Sequence, residues 1–193
     1  MSELEFEAYG PKGDSAEHRS LEAIQEGFQA LPAPPKDRGT LARIVRRHPD
    51  GHREVLASSR LTPDEGLPGD GWNRRPPRKI DAQLAVIRID IAELLAAGQS
   101  VTLAGDQLFV DLDVSAVNLP AGTRLRVGQA LVEMTPEPHD GCLKFKGRFG
   151  QDALRFVQEK ATRPENRRGV YWKVIEAGDV SEGCPIEVIS RPS

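Results

Sequence analysis

The side chains with the most chemistry to offer lie in the run Pro138-His139-Asp140-Gly141-Cys142-Leu143-Lys144-Phe145, where a polar, turn-forming stretch delivers a thiol beside basic and aromatic groups. Positive charge near a cysteine favours the thiolate, the form that attacks electrophiles and ligates metals. With Lys144 alongside and His139 and Arg148 near, Cys142 reads as a nucleophile or a metal ligand. The competing reading is a small buried hydrophobe, the ordinary fate of a lone cysteine. A second group stands at Arg167-Arg168-Gly169, a basic turn that runs into the alternating stretch Val170-Tyr171-Trp172-Lys173-Val174. Arg167 and Arg168 are either a solvated pair or anion contacts, with Gly169 allowing close backbone approach and Arg168 the preferred contact. Gly69, Asp70 and Gly71, with Gly66, form a third candidate, a loop able to cradle a phosphate, although turn formation alone accounts for its glycines.

Other chemical plans lack their parts. His139 and Cys142 are spaced like half of a zinc site, but only Cys184, His18, His48 and His52 remain as partners and none forms a second close pair. There is no Gly-x-Ser-x-Gly elbow, no His-Glu-x-x-His helix and no P-loop. A papain-like Cys/His site is a distant third reading, because the residues around Cys142 do not match that signature.

The elements that must position these groups are mostly strands. Leu21, Ile24, Phe28 and Leu31 recur at helical spacing, with Asp14 and Glu17 as a capping box and Pro32-Ala33-Pro34-Pro35 as the stop. Residues 1–38 thus read as a helical extension with a stiff linker, and 39–193 as the main domain. From Gly39 the period changes to two. Leu41 to Arg46 and Glu54 to Ala57 flank the turn Pro49-Asp50-Gly51 as a hairpin, and a long turn-rich loop follows from Thr62 to Lys79. Further strands are expected at Leu84 to Ile89, Leu108 to Leu112, Arg124 to Val127, Ala130 to Met134, Val170 to Ile175 and Ile186 to Ser190. A short helix opens at Asp90 and ends near Gly98, and a second covers Gln151 to Lys160. Short strands at regular spacing with few helices predict a mainly β barrel or sandwich rather than a doubly wound sheet.

Composition agrees with one soluble domain. The 193 residues carry 38% hydrophobic and 28% charged side chains and a net charge of −3, a balance that argues against a nucleic-acid protein. The basic clusters Arg43 to Arg53 and Arg74 to Lys79 read as solvated faces, with anionic-ligand binding as the alternative. The acidic start Met1-Ser2-Glu3-Leu4-Glu5-Phe6-Glu7 has no apolar signal region, and no stretch is long enough to cross a bilayer, so a cytoplasmic protein with reduced thiols is expected.

Taken in order, Gly128-Gln129-Ala130, Pro138-His139-Asp140-Gly141-Cys142, Phe149-Gly150-Gln151-Asp152-Ala153, Arg168-Gly169-Val170 and Glu176-Ala177-Gly178-Asp179-Val180 resemble the closing half of a MOSC domain, the C-terminal domain of molybdenum-cofactor sulfurases. The resemblance extends back through Asp106-Gln107-Leu108, Gln83-Leu84-Ala85-Val86 and Gly69-Asp70-Gly71-Trp72. Two positions depart from the usual pattern: Asp106-Gln107 replaces Glu-Asn, and Gly183-Cys184 replaces Gly-Asp. The resemblance implies a MOSC-type β-barrel with peripheral helices, and places Cys142 where the family's cysteine is proposed to hold molybdenum or carry sulfur. Molybdopterin is then the expected cofactor, with Arg167, Arg168, Gly169, Lys144, His139, Gly69, Asp70 and Gly71 as its contacts. Three functions follow from it: a reductase of N-hydroxylated small molecules, served by an external electron donor; a persulfide carrier, served by a cysteine-desulfurase-like sulfur donor; or a non-catalytic binding module. Pyridoxal phosphate belongs to sulfurase partners of the family, since this chain is too short to include such a unit.

Overall fold

A computed structural model describes residues 10–74 and 76–192. The described residues form ten strands and three helices, joined by short 3-10 turns. The strands are β1 (Arg38–Arg47), β2 (Arg53–Leu56), β3 (Ser58–Leu61), β4 (Leu84–Arg88), β5 (Leu108–Asp111), β6 (Arg124–Val127), β7 (Ala130–Met134), β8 (Val170–Glu176), β9 (Gly178–Ser181) and β10 (Pro185–Ser190). The helices are α1 (Leu21–Gln29), α2 (Ile89–Ala96) and α3 (Leu143–Gln158).

Seven strands close into a barrel in the order β10-β6-β7-β8-β4-β5-β1, with β1 returning to pair with β10. Closure depends on the length of β1. Its first residues pair with β10 (Arg38 opposite Glu187), its middle with β5 (Ile44 opposite Leu108), and its far end with β2 (Arg47 opposite Arg53). All neighbours are antiparallel except β4 and β5, a parallel pair connected through α2. Strand β2 continues the sheet outward, while β3 pairs with β9 in a separate ribbon.

The period-two pattern sorts side chains into two cores. Leu84 and Val86 of β4, Leu108 and Val110 of β5, Leu41 and Ile44 of β1, and Trp172 and Val174 of β8 fill the barrel. The opposite faces of the same strands, Ile87, Phe109 and Val45, pack outward against Ile91 and Leu95 of α2, Ile24 of α1, and Phe145, Phe149 and Phe156 of α3. Strands covered on both faces read as continuous apolar runs, which is why β4 is buried at all five positions. Helix α1 lies outside the barrel against α3, with the rings of Phe28 and Phe156 edge-on at 5.3 Å.

Several elements differ from the sequence expectation. The cap of α1 is Ser20, whose hydroxyl accepts from Ala23 N, whereas Asp14 caps a preceding short turn. Helix α3 begins eight residues before Gln151, since Phe145 and Phe149, one turn apart, bury together and override the turn-forming residues around them. Gly150 kinks it with φ +91°, and an added Cβ there would sit 3.0 Å from the His18 ring. Cys142 is consequently not inside a loop but the N-cap residue of α3. The ribbon strands β3 and β9 were not anticipated, since four-residue strands with Ser, Arg, Gly and Asp carry almost no β signal.

Candidate functional site

At one end of the barrel a cleft of about 340 Å³ opens between the β1–β2 hairpin, the loop after α2, the Pro136–Cys142 segment and the start of β8. Cys142 lies at its rim, exposed, beside Lys144 of the first turn of α3. Its walls carry Arg47, Arg53, Arg148 and Arg168 together with Trp72, His139 and Tyr171. Five cationic side chains therefore face one space, with Asp140 the single carboxylate among the described lining residues.

Two buried carboxylates stand behind this wall. Asp70 is fully buried and accepts from Arg47 Nε at 2.9 Å, Arg47 Nη2 at 2.5 Å, and the backbone amides of Arg47 and Trp72. Burial pushes its carboxyl up, but the Arg47 guanidinium and these hydrogen bonds outweigh it and hold the group below the usual carboxylate range. Asp70 thereby ties the Gly69–Gly71 turn to β1 and aims Arg47 into the cleft. Asp106, also fully buried, receives both contacts of Arg168 Nη1. Here burial dominates and raises the carboxyl, opposed by Arg168 and, more distantly, Arg47 and Arg148. The guanidinium of Arg168 also lies over the Phe145 ring, 4.9 Å from its centroid.

His139 is held between these groups. Its side chain is 6% exposed, its ring packs on Tyr171 at 4.3 Å, and Nδ1 lies 3.6 Å from Asp106 Oδ1 without a hydrogen bond. Burial, then the positive charges of Arg168 and Arg47, depress its pKa well below the usual histidine value, so the imidazole is neutral at pH 7. Burial and Asp106 raise the Tyr171 phenol, which stays protonated.

The residues singled out from sequence separate into two sets. Cys142, Lys144, His139 and Arg168 converge on the cleft. Gly69, Asp70 and Gly71 are not among its lining residues, and Asp70 acts on it through Arg47. Gly169, with φ +104°, does not line this cleft, and it passes so close to β4 that an added Cβ would lie 2.2 Å from Val86 O. Arg167 points the other way, between the rings of Phe28 and Phe156, paired with Glu159 and Glu165. Arg47 and Arg53, read from sequence as part of a solvated basic cluster, are cleft residues. Their only sequence signal was that cluster of basic residues, and Trp72 and Tyr171 stood within quoted runs without a role of their own.

The MOSC domain family matches residues 70–187. The chain belongs to the MOSC family. That match covers most of the barrel and every cleft residue named above except Arg47 and Arg53, and the family is associated with molybdenum cofactor binding. Solved structures agree at the level of fold. The YuaD protein of Bacillus subtilis superposes with a TM-score of 0.59 at 14% identity, covering 78% of this chain and 95% of that one. YiiM of Geobacillus stearothermophilus gives 0.56 at 15% identity, covering 79% and 76%. YiiM of Escherichia coli gives 0.51 at 21% identity, covering 81% and 71%. A comparison with curated proteins finds no match. Among the described residues no helix is long and apolar enough to cross a membrane.

Proposed function

We propose that this MOSC domain binds a molybdenum cofactor, with the Cys142 sulfur as its protein ligand to the metal and the cleft arginines as contacts for the phosphate tail. The observation that carries the reading is the placement of an exposed thiol on the rim of a cleft walled by Arg47, Arg53, Lys144, Arg148 and Arg168. The donor set fits such a group. Among the described residues no cluster of three or more His, Cys, Asp or Glu side chains can hold a bare metal ion, so a metal at Cys142 must arrive with other ligands of its own. A pterin dithiolene provides them, and its phosphate suits a wall of guanidinium groups.

A bound molybdenum cofactor supplies two-electron oxygen-atom transfer. The chain's own part is ligation, orientation and proton handling. Cys142 donates sulfur, Arg47 and Arg168 are held in place from behind by Asp70 and Asp106, and neutral His139 with protonated Tyr171 is available to give or take a proton at a substrate in the cleft. Reduction of an N-hydroxylated small molecule, with electrons from an external reductase, is the reaction we assign.

A second reading is favoured by one feature. Leu143, next to the thiol, is 80% exposed, so the sulfur and an apolar side chain together meet solvent where another protein's cysteine can reach them. That suits a persulfide carrier loaded by a desulfurase-like donor.

One experiment separates the two. The protein is produced in a host making excess cofactor, and molybdenum, pterin and cyanide-labile sulfur are assayed in the native chain and in Cys142→Ser. Near-stoichiometric molybdenum and pterin in the native chain, with the metal lost in the variant, support the cofactor reading. Metal-free protein with cyanide-labile sulfur dependent on Cys142 replaces it with the carrier, and absence of both leaves a binding module without either chemistry.

A further inference from the structure

Between β7 and α3 the chain runs along the cleft as the stretch Pro136–Asp140, anchored firmly at both ends and weakly between them. Before it, Thr135 N donates to Tyr171 O at 3.0 Å and the Thr135 hydroxyl lies 2.6 Å from Asp81 O. After it, Gly141 O accepts from Gln158 Nε2 at 2.8 Å, and Gly141 packs so close to α3 that an added Cβ would lie 2.5 Å from Leu154 Cδ1. Among the described residues the main chain of Pro136–Asp140 makes no hydrogen bond, and its two prolines have no N–H to give.

The side chains of the stretch hold it at two surface points and one interior point. Glu137 Oε2 meets Lys79 Nζ at 2.6 Å and Asp140 Oδ1 meets Arg163 Nη2 at 3.1 Å, and both pairs are open to solvent. Exposed pairs of this kind shift an equilibrium only about one- to fivefold each. Inside, the His139 ring packs on Tyr171 but makes no hydrogen bond, and its Nδ1 is buried without a partner, an arrangement that opposes burial.

This ring also has space on two sides. Besides the cleft, a second cavity of about 220 Å³ is lined by Pro136, Glu137 and Pro138 and by the buried side chains of Leu119, Met134 and Val170. His139 is the one described residue that lines both. A cavity of roughly 150 Å³ holds a benzene molecule, so the second one has room for an imidazole.

We propose that Pro136–Asp140 is a hinged strap that carries His139 between two seats, one against Tyr171 in the cleft wall and one in the second cavity, and that the Glu137–Lys79 and Asp140–Arg163 pairs latch it in the first. With His139 in the second seat the cleft loses its neutral imidazole and gains the space the ring filled. The strap thus sets whether a molecule held near Cys142 meets His139 at all. The inference goes beyond the cofactor reading and holds whatever binds in the cleft.

The test reads solvent access to the His139 ring with diethyl pyrocarbonate, which acylates accessible neutral imidazoles, at pH 7.5 in the full chain. Peptide mass spectrometry follows each histidine, and exposed His52 is the internal reference. In Glu137→Gln/Asp140→Asn the His139-to-His52 rate ratio is expected to rise about two- to thirtyfold over the native protein, the product of two released pairs. Lys79→Gln/Arg163→Gln breaks the same pairs with the opposite change in net charge and is expected to raise the ratio by a similar factor. A ratio unchanged in both double variants overturns the proposal, and so does a rise in only one of them, which a change in net charge would produce. The second seat is tested by adding Ala116→Phe and Ala121→Phe to Glu137→Gln/Asp140→Asn, since both alanines line that cavity and are exposed, so enlarging them spares the core. The ratio is expected to return toward the native value, and a rise of undiminished size overturns the second cavity as the seat. Molybdenum and pterin content enters none of these measurements, so failure here and failure of the cofactor reading are separate results.

Discussion

Arg168 Nη1 donates to both carboxylate oxygens of Asp106, at 3.0 and 2.9 Å, across 62 positions of sequence and with the carboxylate wholly buried. This pair joins the start of β8 to the turn before β5 and so spans the back wall of the cleft. Neither partner can leave without stranding the other in a site with little water to replace it.

Asp106→Asn is therefore expected to lower unfolding stability by about 3–5 kcal/mol, the cost typical of breaking a buried ion pair from one side. Urea denaturation measures it. Pairing Asp106→Leu with Arg168→Met recovers most of the loss while abolishing whatever anion binding depends on Arg168, so stability and ligand affinity part company in the double variant.

His139 sets an acid limit. Its folded-state pKa is well below the unfolded value of about 6.5, so the unfolded chain binds a proton that the folded chain refuses. Stability from this group is fully present above pH ~6.5 and declines as pH falls below it, by up to about 1.4 kcal/mol per pH unit until the folded pKa is reached. Unfolding free energies between pH 7.5 and 5 show this slope in the native protein and a smaller one in His139→Gln. A slope identical in both would place the titration elsewhere.

Gly169→Ala combines a left-handed φ with a Cβ driven into Val86 O, and costs at least about 2 kcal/mol. Gly183 offers the control. It has φ +80° with nothing within 4 Å, so Gly183→Ala carries the backbone term alone, about 1 kcal/mol. Thermal or urea unfolding of the two variants ranks them.

The two thiols differ in access. Cys142 is exposed, while Cys184 is half-buried against the barrel core. Brief alkylation of native protein followed by peptide mass spectrometry labels Cys142 first. Labelling of Cys184 at an equal rate would show that the β9–β10 turn opens far more than its packing implies.

What could be read from sequence depended on how local the signal was. The barrel strands announce themselves by an unbroken apolar run in Leu108 to Val110 and by alternation in Val170 to Val174, because each needs only its own side chains to declare which faces are covered. Helix α3 stayed hidden in its first half because Gly141, Gly147 and Gly150 look like loop residues, and only the packing of Phe145 and Phe149 beneath α1 reveals the helix. The cleft was half legible. Cys142, Lys144 and His139 share a short run, but Arg47 and Arg53 reach the site from a hairpin about ninety positions away, and no periodicity reports that distance. Arg167 and Arg168 illustrate the other limit. Both stand in the turn between Asn166, which is left-handed at φ +51°, and β8, and the path of that turn sends Arg168 to Asp106 and Arg167 to Glu159 and Glu165.

The way β1 closes the barrel also has a bearing on how the protein is made. Arg38 on one side of the seam must meet Glu187 on the other, so the closing pairing cannot form on a ribosome until β10 has emerged. Until then β1 and β6 present open edges to their surroundings, templates for pairing with another nascent chain. Strand β10 thus acts as the latch of the barrel, and a premature stop before Pro185 yields a chain that holds the other six barrel strands and two sticky margins.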